Sequence, residues 1–380
     1  TNIKLPYNIN YKISFQPNYT FASEYNFYPS SIPAGGQGGV ASRAESKNMS
    51  WIFDNLVSWK KQYGIHGFDV TLLFSAEKAQ RYLTSENNQK FIPNENLTFS
   101  GIHFGTVPTV SSDDTQTTAD ALMARLNYTL LNKYLITASV RRDGYSAFGV
   151  NNPRATFPAV ALAWKISEES FFKIPHVYQM KLRMSWGENG NRDIGAYAAL
   201  AQLKSVPYFN GTNSSVGIVS STLANSELKW ERTSSYNIGM DLGLFDNRID
   251  LTADFYVMNT LDLLMARQLP EITGFKSIMT NLGELQNKGV DLTLNTVNID
   301  NKNFKWTSNF VYSANRNKIV KLFGNYETVE INGQTVQREL PDYTNNLFPG
   351  HAIDQIWNYK VLGVWQQDEA EEAARYRLLP

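Results

Sequence analysis

The 380-residue sequence has no cysteine, which excludes a disulfide framework, a thiolate metal site and a cysteine nucleophile, but leaves the compartment open because many exported proteins carry no disulfides. It has no excess of either charge: 35 Lys and Arg stand against 35 Asp and Glu, with no block of like charges. That excludes the basic face a nucleic-acid-binding surface needs, so no nucleic acid is expected as a partner. Long hydrophobic runs are also missing. One of the longer ones, Pro158 to Trp164, has seven residues, whereas a membrane-crossing helix takes about 18 or more. A membrane protein of this composition could only be a barrel.

Enzymatic chemistry finds little support. The four histidines, His66, His103, His176 and His351, lie far apart without metal-ligand spacing, so no metal site is expected. Asp113-Asp114 and Glu168-Glu169 are adjacent in sequence, and neighbours on an extended chain point to opposite sides, which disfavours a catalytic pair. Gly35-Gly36-Gln37-Gly38-Gly39 is not followed by Lys-Ser/Thr, so it reads as a loop instead of a phosphate cradle, and no cofactor is expected.

What the sequence has in quantity is alternation with a period of two, the mark of strands with one apolar and one polar face. Ile3, Leu5, Tyr7, Ile9, Tyr11, Ile13 and Phe15 alternate with Lys4, Pro6, Asn8, Asn10, Lys12, Ser14 and Gln16, predicting one strand. Leu122 to Leu130 and Tyr134 to Val140 form a hairpin turning at Asn132-Lys133, and Tyr236 to Leu244 and Ile249 to Val257 form another at Asp246-Asn247. Asn and Asp tolerate the positive φ such turns demand. Further strands are expected near 47–60, 67–78, 155–166, 178–188, 287–297 and 303–314, with a less regular one near 352–366. The tail Gln367 to Leu379 reads as a short helix.

The total is about a dozen strands, several of 13 to 17 residues, whereas strands of soluble domains cluster at about 5 to 6. Long connections at 17–46, 79–118, 189–227, 265–280 and 315–351 mostly alternate with short ones at 61–66, 132–133, 246–247 and 298–302. All long loops then lie at one end of the sheet, the form of outer-membrane barrels. Tyr11, Trp51, Trp59, Tyr128, Tyr134, Trp164, Trp186, Trp230 and Trp306 suit an interfacial aromatic belt. In the long loops, Tyr197, Tyr208-Phe209-Asn210 and Tyr343 combine flat apolar faces with amide donors, as sugar- or peptide-binding surfaces do. The fold class expected is therefore all-β, a transmembrane antiparallel β-barrel, with residues 1–380 as one barrel domain. With no initiator Met or leader and a strand pattern already begun by residue 3, we read the chain as an internal piece of a longer protein.

Several stretches resemble the SusC/RagA-type TonB-linked outer-membrane transporters, in that family's order. Arg141-Arg142-Asp143-Gly144-Tyr145-Ser146-Ala147-Phe148-Gly149 is similar to its Arg-x-Asp-Gly-Ser-Ser-x-Phe-Gly stretch, and Phe157-Pro158 through Trp164 to its Phe-Pro-Ser-x-Ser-x-Gly-Trp segment. Leu182 to Asn191, Leu228-Lys229-Trp230-Glu231, Asn281 to Leu292 and Gly350 to Gly363 resemble further signatures. We read Arg142, Asp143, Gly144, Phe148 and Gly149 as a structural motif, Phe157 to Trp164 as a lipid-facing strand, and Asn281 to Val290 as the start of another.

The resemblance implies a 22-stranded, plugged barrel of which this chain supplies about twelve strands, without plug or final strands. It also implies a location in the outer membrane of a Gram-negative, Bacteroidetes-type cell, in contact with outer-membrane lipid. The expected function is import of oligosaccharide or peptide cargo, energised by the TonB, ExbB and ExbD system and lidded by a SusD-like surface lipoprotein. It implies no enzymatic activity. A passive porin or surface adhesin of the same architecture is the alternative, and a soluble glycan-binding β-protein a more distant one. An open set of strands should not insert alone, because unpaired backbone groups in hydrocarbon cost several kcal/mol each.

Overall fold

The computed structural model describes residues 1–36, 38–91, 96–331, 334–358, 360 and 363–376. The strands along the chain are β1 (Asn2–Leu5), β2 (Ile9–Tyr28), β3 (Val40–Tyr63), β4 (His66–Gln89), β5 (Thr109–Leu130), β6 (Tyr134–Tyr145), β7 (Arg154–Lys165), β8 (Val177–Asn191) and β9 (Leu203–Phe209). They continue with β10 (Ser214–Ser220), β11 (Glu231–Leu244), β12 (Ile249–Leu261), β13 (Leu264–Gln268), β14 (Ser277–Asn281), β15 (Glu284–Asn301), β16 (Phe304–Lys321), β17 (Tyr326–Ile331) and β18 (Gln334–Glu339), and the α-helix among the described residues is α1 (Ala370–Tyr376). Twelve of the strands make one antiparallel sheet in the order β1-β2-β3-β4-β5-β6-β7-β8-β11-β12-β15-β16. The remaining six pair as three small hairpins. Within the sheet β1 pairs with β2 alone and β16 with β15 alone, so it is an open section of barrel wall.

Successive side chains on a strand point to opposite faces, and the register fixes which residues share a face. Ile136, Leu162, Met184, Ile238 and Phe255 are lateral partners in one row across β6, β7, β8, β11 and β12. All are 40 to 56% exposed. An uncovered apolar field of this breadth marks a surface that meets something apolar, and on a barrel wall that is hydrocarbon. The opposite face carries Arg125, Thr137, Arg183, Asn237, Asp254 and Asp291, the composition of a wet interior.

The ends of the sheet differ. One end has tight turns at 6–8, 64–65, 131–133, 245–248 and 302–303 and an 11-residue link at 166–176; the other has the links at 29–39, 90–108, 146–153, 192–230 and 262–283 and the chain beyond β16. Asp246 and Asn247 have φ of 53° and 67°, as their residue types allow, and Phe245 joins them at 52°. In the β5–β6 turn it is Leu131 and Asn132, at 54° and 58°, that take positive φ.

Several expectations are corrected. The first segment is not one strand: Tyr7 and Asn8 have φ of 63° and 65°, and Ile3 pairs back with Tyr11 and Asn2 with Lys12. Pro6 has no N–H to give a ladder, so the chain turns there despite unbroken alternation. The links expected at 17–46 and 79–118 are mostly strand, because β2 runs to Tyr28, β3 starts at Val40, β4 runs to Gln89 and β5 starts at Thr109. At 24 residues, β3 and β4 span about 80 Å, far more than the ~9–11 residues a tilted crossing needs. Above the hydrocarbon both faces are wet, so on β3, β4 and β5 the apolar alternation stops while the ladder continues; on β2 it persists in Tyr19, Phe21, Tyr25 and Phe27. No described residue between 352 and 366 is in a strand; Tyr359, Val361 and Leu362 of that expected strand, and Arg377 to Leu379 of the expected helix, lie outside the described residues.

The aromatic belt is well developed at the tight-turn end. Tyr134 stacks on Trp164 at 6.3 Å, Trp164 meets Phe171 edge-on at 6.4 Å, and Tyr134 and Trp164 both bond Glu169 in the β7–β8 link. Tyr134 Oη donates to Glu169 Oε1 at 2.6 Å, Trp164 Nε1 donates to the same oxygen at 3.0 Å, and Lys133 Nζ lies 3.2 Å from Oε2. The Tyr134 hydrogen bond, then those of Trp164 and Lys133, hold the Glu169 carboxyl below the usual carboxylate range. A depressed folded-state value stabilises the fold above the unfolded carboxyl's range, and that stabilisation disappears as pH falls through the folded-state value. In the full-length protein, E169Q should therefore unfold at lower temperature than wild type at neutral pH, with the gap closing in acid. A gap independent of pH would contradict this role.

Candidate functional site

On the inner face, β8, β11 and β12 build a charge network around Arg183. Gly239 stands opposite both Arg183 and Asp254 in the ladder, and its missing side chain leaves room for the guanidinium: a Cβ there would lie 2.4 Å from Asp254 Oδ1 and 2.7 Å from Arg183 Nη2. Arg183 Nη2 donates to Asp241 Oδ1 at 2.9 Å and to Asp254 Oδ2 at 2.9 Å, while Nη1 reaches Asp254 Oδ1 at 3.0 Å. Lys181 Nζ adds a contact to Asp241 at 3.6 Å. Further along the same face, Arg141 pairs with Asp143 at 2.8 Å, and Arg192 pairs with Glu77 at 2.7 Å while its guanidinium lies 4.8 Å over the Tyr145 ring. Of these groups Arg141, Asp143, Arg192 and Glu77 line a hollow of about 590 Å³ together with Arg125, Glu188, Phe157 and Trp230. Its walls offer both signs of charge beside two aromatic rings, a surface able to hold polar cargo with apolar parts.

At the long-loop end the sequence motifs converge on one another. Phe148, Phe157, Ala199, Leu228 and Trp230 form a buried cluster, with Trp230 at 4.9 Å from Phe148 and 5.7 Å from Phe157. Gly149 donates its N–H to the Leu228 carbonyl at 2.8 Å, an approach only glycine permits, since a Cβ would lie 2.1 Å from the Ser226 carbonyl oxygen. The β7–β8 ladder ends at Ala159 and Gly187, while β8 stays paired with β11 to Asn191. The Phe157 ring lies against Gly190, where a Cβ would sit 2.1 Å from it. Asn281 then ties the next loop down: its Oδ1 accepts from Lys229 N–H at 2.8 Å and its Nδ2 donates to the Lys229 and Asp262 carbonyls at 2.7 and 3.0 Å. The loops after β6, β8 and β12 are thus one packed body.

Each sequence-predicted residue has a definite place. Phe148 and Gly149 are in the cluster, and Gly144 lies beneath the Arg154–Asp120 ion pair of the outer face, whose Nη1 and Oδ1 would be 2.9 and 2.8 Å from a Cβ. Asp143 faces the lumen and Arg142 the lipid, opposite Leu122. Two assignments are corrected: Trp230, 5% exposed, is not in the belt, and Phe157, 7% exposed, is not lipid-facing, because both turn into the loop cluster. Tyr197 Oη accepts from Gln116 N–H at 3.0 Å. Tyr208 and Phe209 end β9, and Asn210 Oδ1 accepts from Thr212 and Asn213 N–H within the β9–β10 turn. Tyr343 meets Phe348 edge-on at 5.8 Å. No hydrogen bond or ring contact joins these three places among the described residues. Arg183, Arg192 and Asn225, which bonds the Met279 carbonyl at 2.9 Å, carry no local signal in the sequence, since their partners lie 54 to 115 positions away.

An open antiparallel wall with an apolar outer face, a charged inner face and all its long loops at one end is a section of an outer-membrane β-barrel. The family model described as TonB dependent receptor-like, beta-barrel matches residues 1–377, and the chain belongs to that family of receptors and transporters. It is 34% identical over 363 residues to TonB-dependent receptor P3 of Formosa agariphila, covering 93% of this chain and 36% of that protein. It is 39% identical over 218 residues to TonB-dependent receptor SusC of Bacteroides thetaiotaomicron, covering 55% of this chain and 22% of that one. Among solved structures, that of the RagAB peptide transporter superposes with a TM-score of 0.76 at 25% identity, over 90% of this chain and 38% of its own. The siderophore receptor PiuA of Acinetobacter baumannii shares the fold at a TM-score of 0.51 and 13% identity. The chain spans a little over a third of the length of the first of these curated relatives.

Proposed function

We propose that residues 1–380 form a single barrel domain in the wall of an importer that takes up oligosaccharides or peptides across the outer membrane of a Bacteroidetes-type cell, driven through a plug by the TonB, ExbB and ExbD system and covered by a SusD-like lipoprotein. The peptide class is supported by the likeness to the RagAB peptide transporter, and the oligosaccharide class by the aromatic and amide groups of the long loops. The observation that carries the reading is the packed loop body standing over a luminal wall of both charge signs, a built mouth instead of loose loops. Tyr197, Tyr208, Phe209, Asn210 and Tyr343 are the loop residues proposed to meet cargo. Tyr208, Phe209 and Tyr343 are 60 to 66% exposed.

The lid has a specific landing place in this reading. One face of the β9–β10 hairpin presents Leu203, Phe209, Val216 and Ile218, each 66 to 78% exposed, and the register sets Val216 and Ile218 on the side of Leu203 and Phe209. A two-stranded hairpin is marginal alone in water, so this face calls for a covering body.

Uptake of a labelled oligosaccharide and a labelled peptide by cells carrying the full-length protein tests the proposal. One of them should enter, and entry should stop when the proton-motive force is collapsed; entry unaffected by that collapse would favour the passive porin. V216S/I218S should weaken co-purification of the lipoprotein about tenfold, as expected for loss of two apolar anchors, and unchanged co-purification would remove the hairpin as its contact.

A further inference from the structure

On the lipid-facing side, Asn55, Phe74, Leu122 and Arg142 are successive lateral partners across β3, β4, β5 and β6. Below them on that face lie Val57, Leu72, Ala124 and Val140, and together these residues line a groove of about 440 Å³. Its walls are apolar except at the row containing Asn55 and Arg142. Arg142 is exposed and has no hydrogen bond or ion pair among the described residues. The other charges of this patch are used up: Arg154 holds Asp120 through Nη1 at 2.5 Å and Nη2 at 2.8 Å.

The depth of Arg142 gives its surroundings. Outward residues on β6 run Tyr134, Ile136, Ala138, Val140, then Arg142. Tyr134 belongs to the belt at the tight-turn end, and eight residues of strand advance about 26 Å along its axis, a rise of about 20 Å at the ~35–45° tilt of such strands, which reaches close to the top of an apolar band about 25 Å tall. The outward alternation turns polar at the same level on β5, where Asp120 follows Leu122, and on β7, where Thr156 precedes Pro158. Arg142 is therefore the first polar group above the hydrocarbon on the long-loop side. A cation at that level without a protein counter-charge is costly unless an anion meets it.

We infer that this groove is a binding site for a phosphorylated lipid of the outer leaflet, with an acyl chain along Leu72, Phe74, Leu122 and Val140 and a headgroup phosphate on the Arg142 guanidinium. Arginine presents the planar donor fork that matches phosphate oxygens, and an apolar groove headed by one cation complements a chain headed by one anion. The inference depends on the wall lying in a membrane and is independent of cargo and lid.

The test uses the full-length protein purified in mild detergent from its own outer membrane, with retained lipid measured by native mass spectrometry. Lipid A is then added back with its phosphate and after phosphatase treatment. Wild type should retain the phosphorylated lipid, and R142Q should bind it about tenfold more weakly, the scale of one charge-assisted contact. K302Q, which removes a cation from a tight turn at the other membrane surface, should bind as wild type. Dephosphorylated lipid should bind wild type no better than phosphorylated lipid binds R142Q. L122W keeps the cation but fills the groove, and should also lose the lipid while the barrel retains heat-modifiable mobility. Equal retention by wild type and R142Q, or equal binding of the two lipid forms, would overturn the inference. So would inorganic phosphate displacing the lipid at equal concentration, since that would make the site one for free phosphate.

Discussion

Replacing Trp230 with alanine in the full-length protein should open the loop body and abolish uptake. Trp230 is 5% exposed and touches the rings of Phe148, Phe157 and Tyr145 at 4.9, 5.7 and 6.5 Å, so it joins the loop after β6 to the strand leading out of the loop after β8. Truncating a buried Trp costs about 3–5 kcal/mol. Loops have little stability of their own to spare, so the loss should appear as local opening before the wall is affected. Intact cells exposed to protease should show cleavage within 192–230, while the membrane-embedded strands stay protected. W230F, which keeps an aromatic ring but gives up part of the indole's volume and the long 3.4 Å hydrogen bond to the Pro153 carbonyl, should lose much less than W230A. Protease-resistant loops and full uptake in W230A would show that the cluster does not hold the mouth together.

The second large effect concerns the wall. R183A leaves Asp241 and Asp254 facing each other across Gly239, with Asp291 the lateral neighbour of Asp254. The side chains of Arg183, Asp241 and Asp254 are 29, 22 and 20% exposed, so the penalty falls below that of a fully buried broken pair, at about 2–3 kcal/mol. Folded barrel yield in the outer membrane should drop sharply. R183K should recover only part of it, because an ammonium cannot fork between two carboxylates. The triple substitution R183M/D241N/D254N should recover most of it, since neither aspartate charge is then left facing the gap, and only the partly exposed Lys181, 3.6 Å from Asp241, loses a partner. A yield for R183A equal to wild type would mean that water in the lumen satisfies the aspartates without the arginine.

How much of this was readable in advance depends on whether the signal was local. The β11–β12 hairpin is written in consecutive residues, apolar alternation closed by Asp246-Asn247, and the ladder follows it from Leu244 opposite Ile249 onward. The β1 turn was hidden, because Ile3 to Phe15 alternates straight through Pro6 to Asn8, and a turn that preserves the period leaves no trace in the pattern. The upper halves of β3 to β5 were hidden for the opposite reason: with water on both faces, Val40 to Asn48 and Thr109 to Thr118 need no alternation, and the neighbouring strands keep them extended, whereas on β2 Tyr19, Phe21, Tyr25 and Phe27 still alternate with Thr20, Ala22, Glu24 and Asn26 and the strand was legible. The hairpins β9–β10, β13–β14 and β17–β18 are short enough to pass for loop.

The site was half legible. The stretches around Arg142, Trp186, Trp230 and Asn281 identified the family, but nothing in each alone says that Gly149 must touch Leu228 or that Asn281 must hold Lys229. Trp230 looked like one more belt aromatic because its position at a strand end is the same as that of Trp164; only the packing separates a ring facing lipid from one facing loops. Arg183 stood inside a recognised stretch, yet Asp241 and Asp254 are 58 and 71 positions further on, and only the register brings them together.

The central claim is that this chain is a transmembrane wall with its long loops outside the cell. Residues 1–380 contain no cysteine and add no background to single cysteines placed among them, and the full-length protein without an introduced cysteine is the control. The decisive measurement is labelling of intact cells bearing the full-length protein with a membrane-impermeant maleimide. T212C in the β9–β10 turn should label without cell lysis, K302C in the β15–β16 turn only after lysis, and L162C on the outer face in neither case. Labelling of K302C and not T212C in intact cells would invert the wall, and ready labelling of all three once cells are lysed would contradict a membrane-embedded barrel altogether.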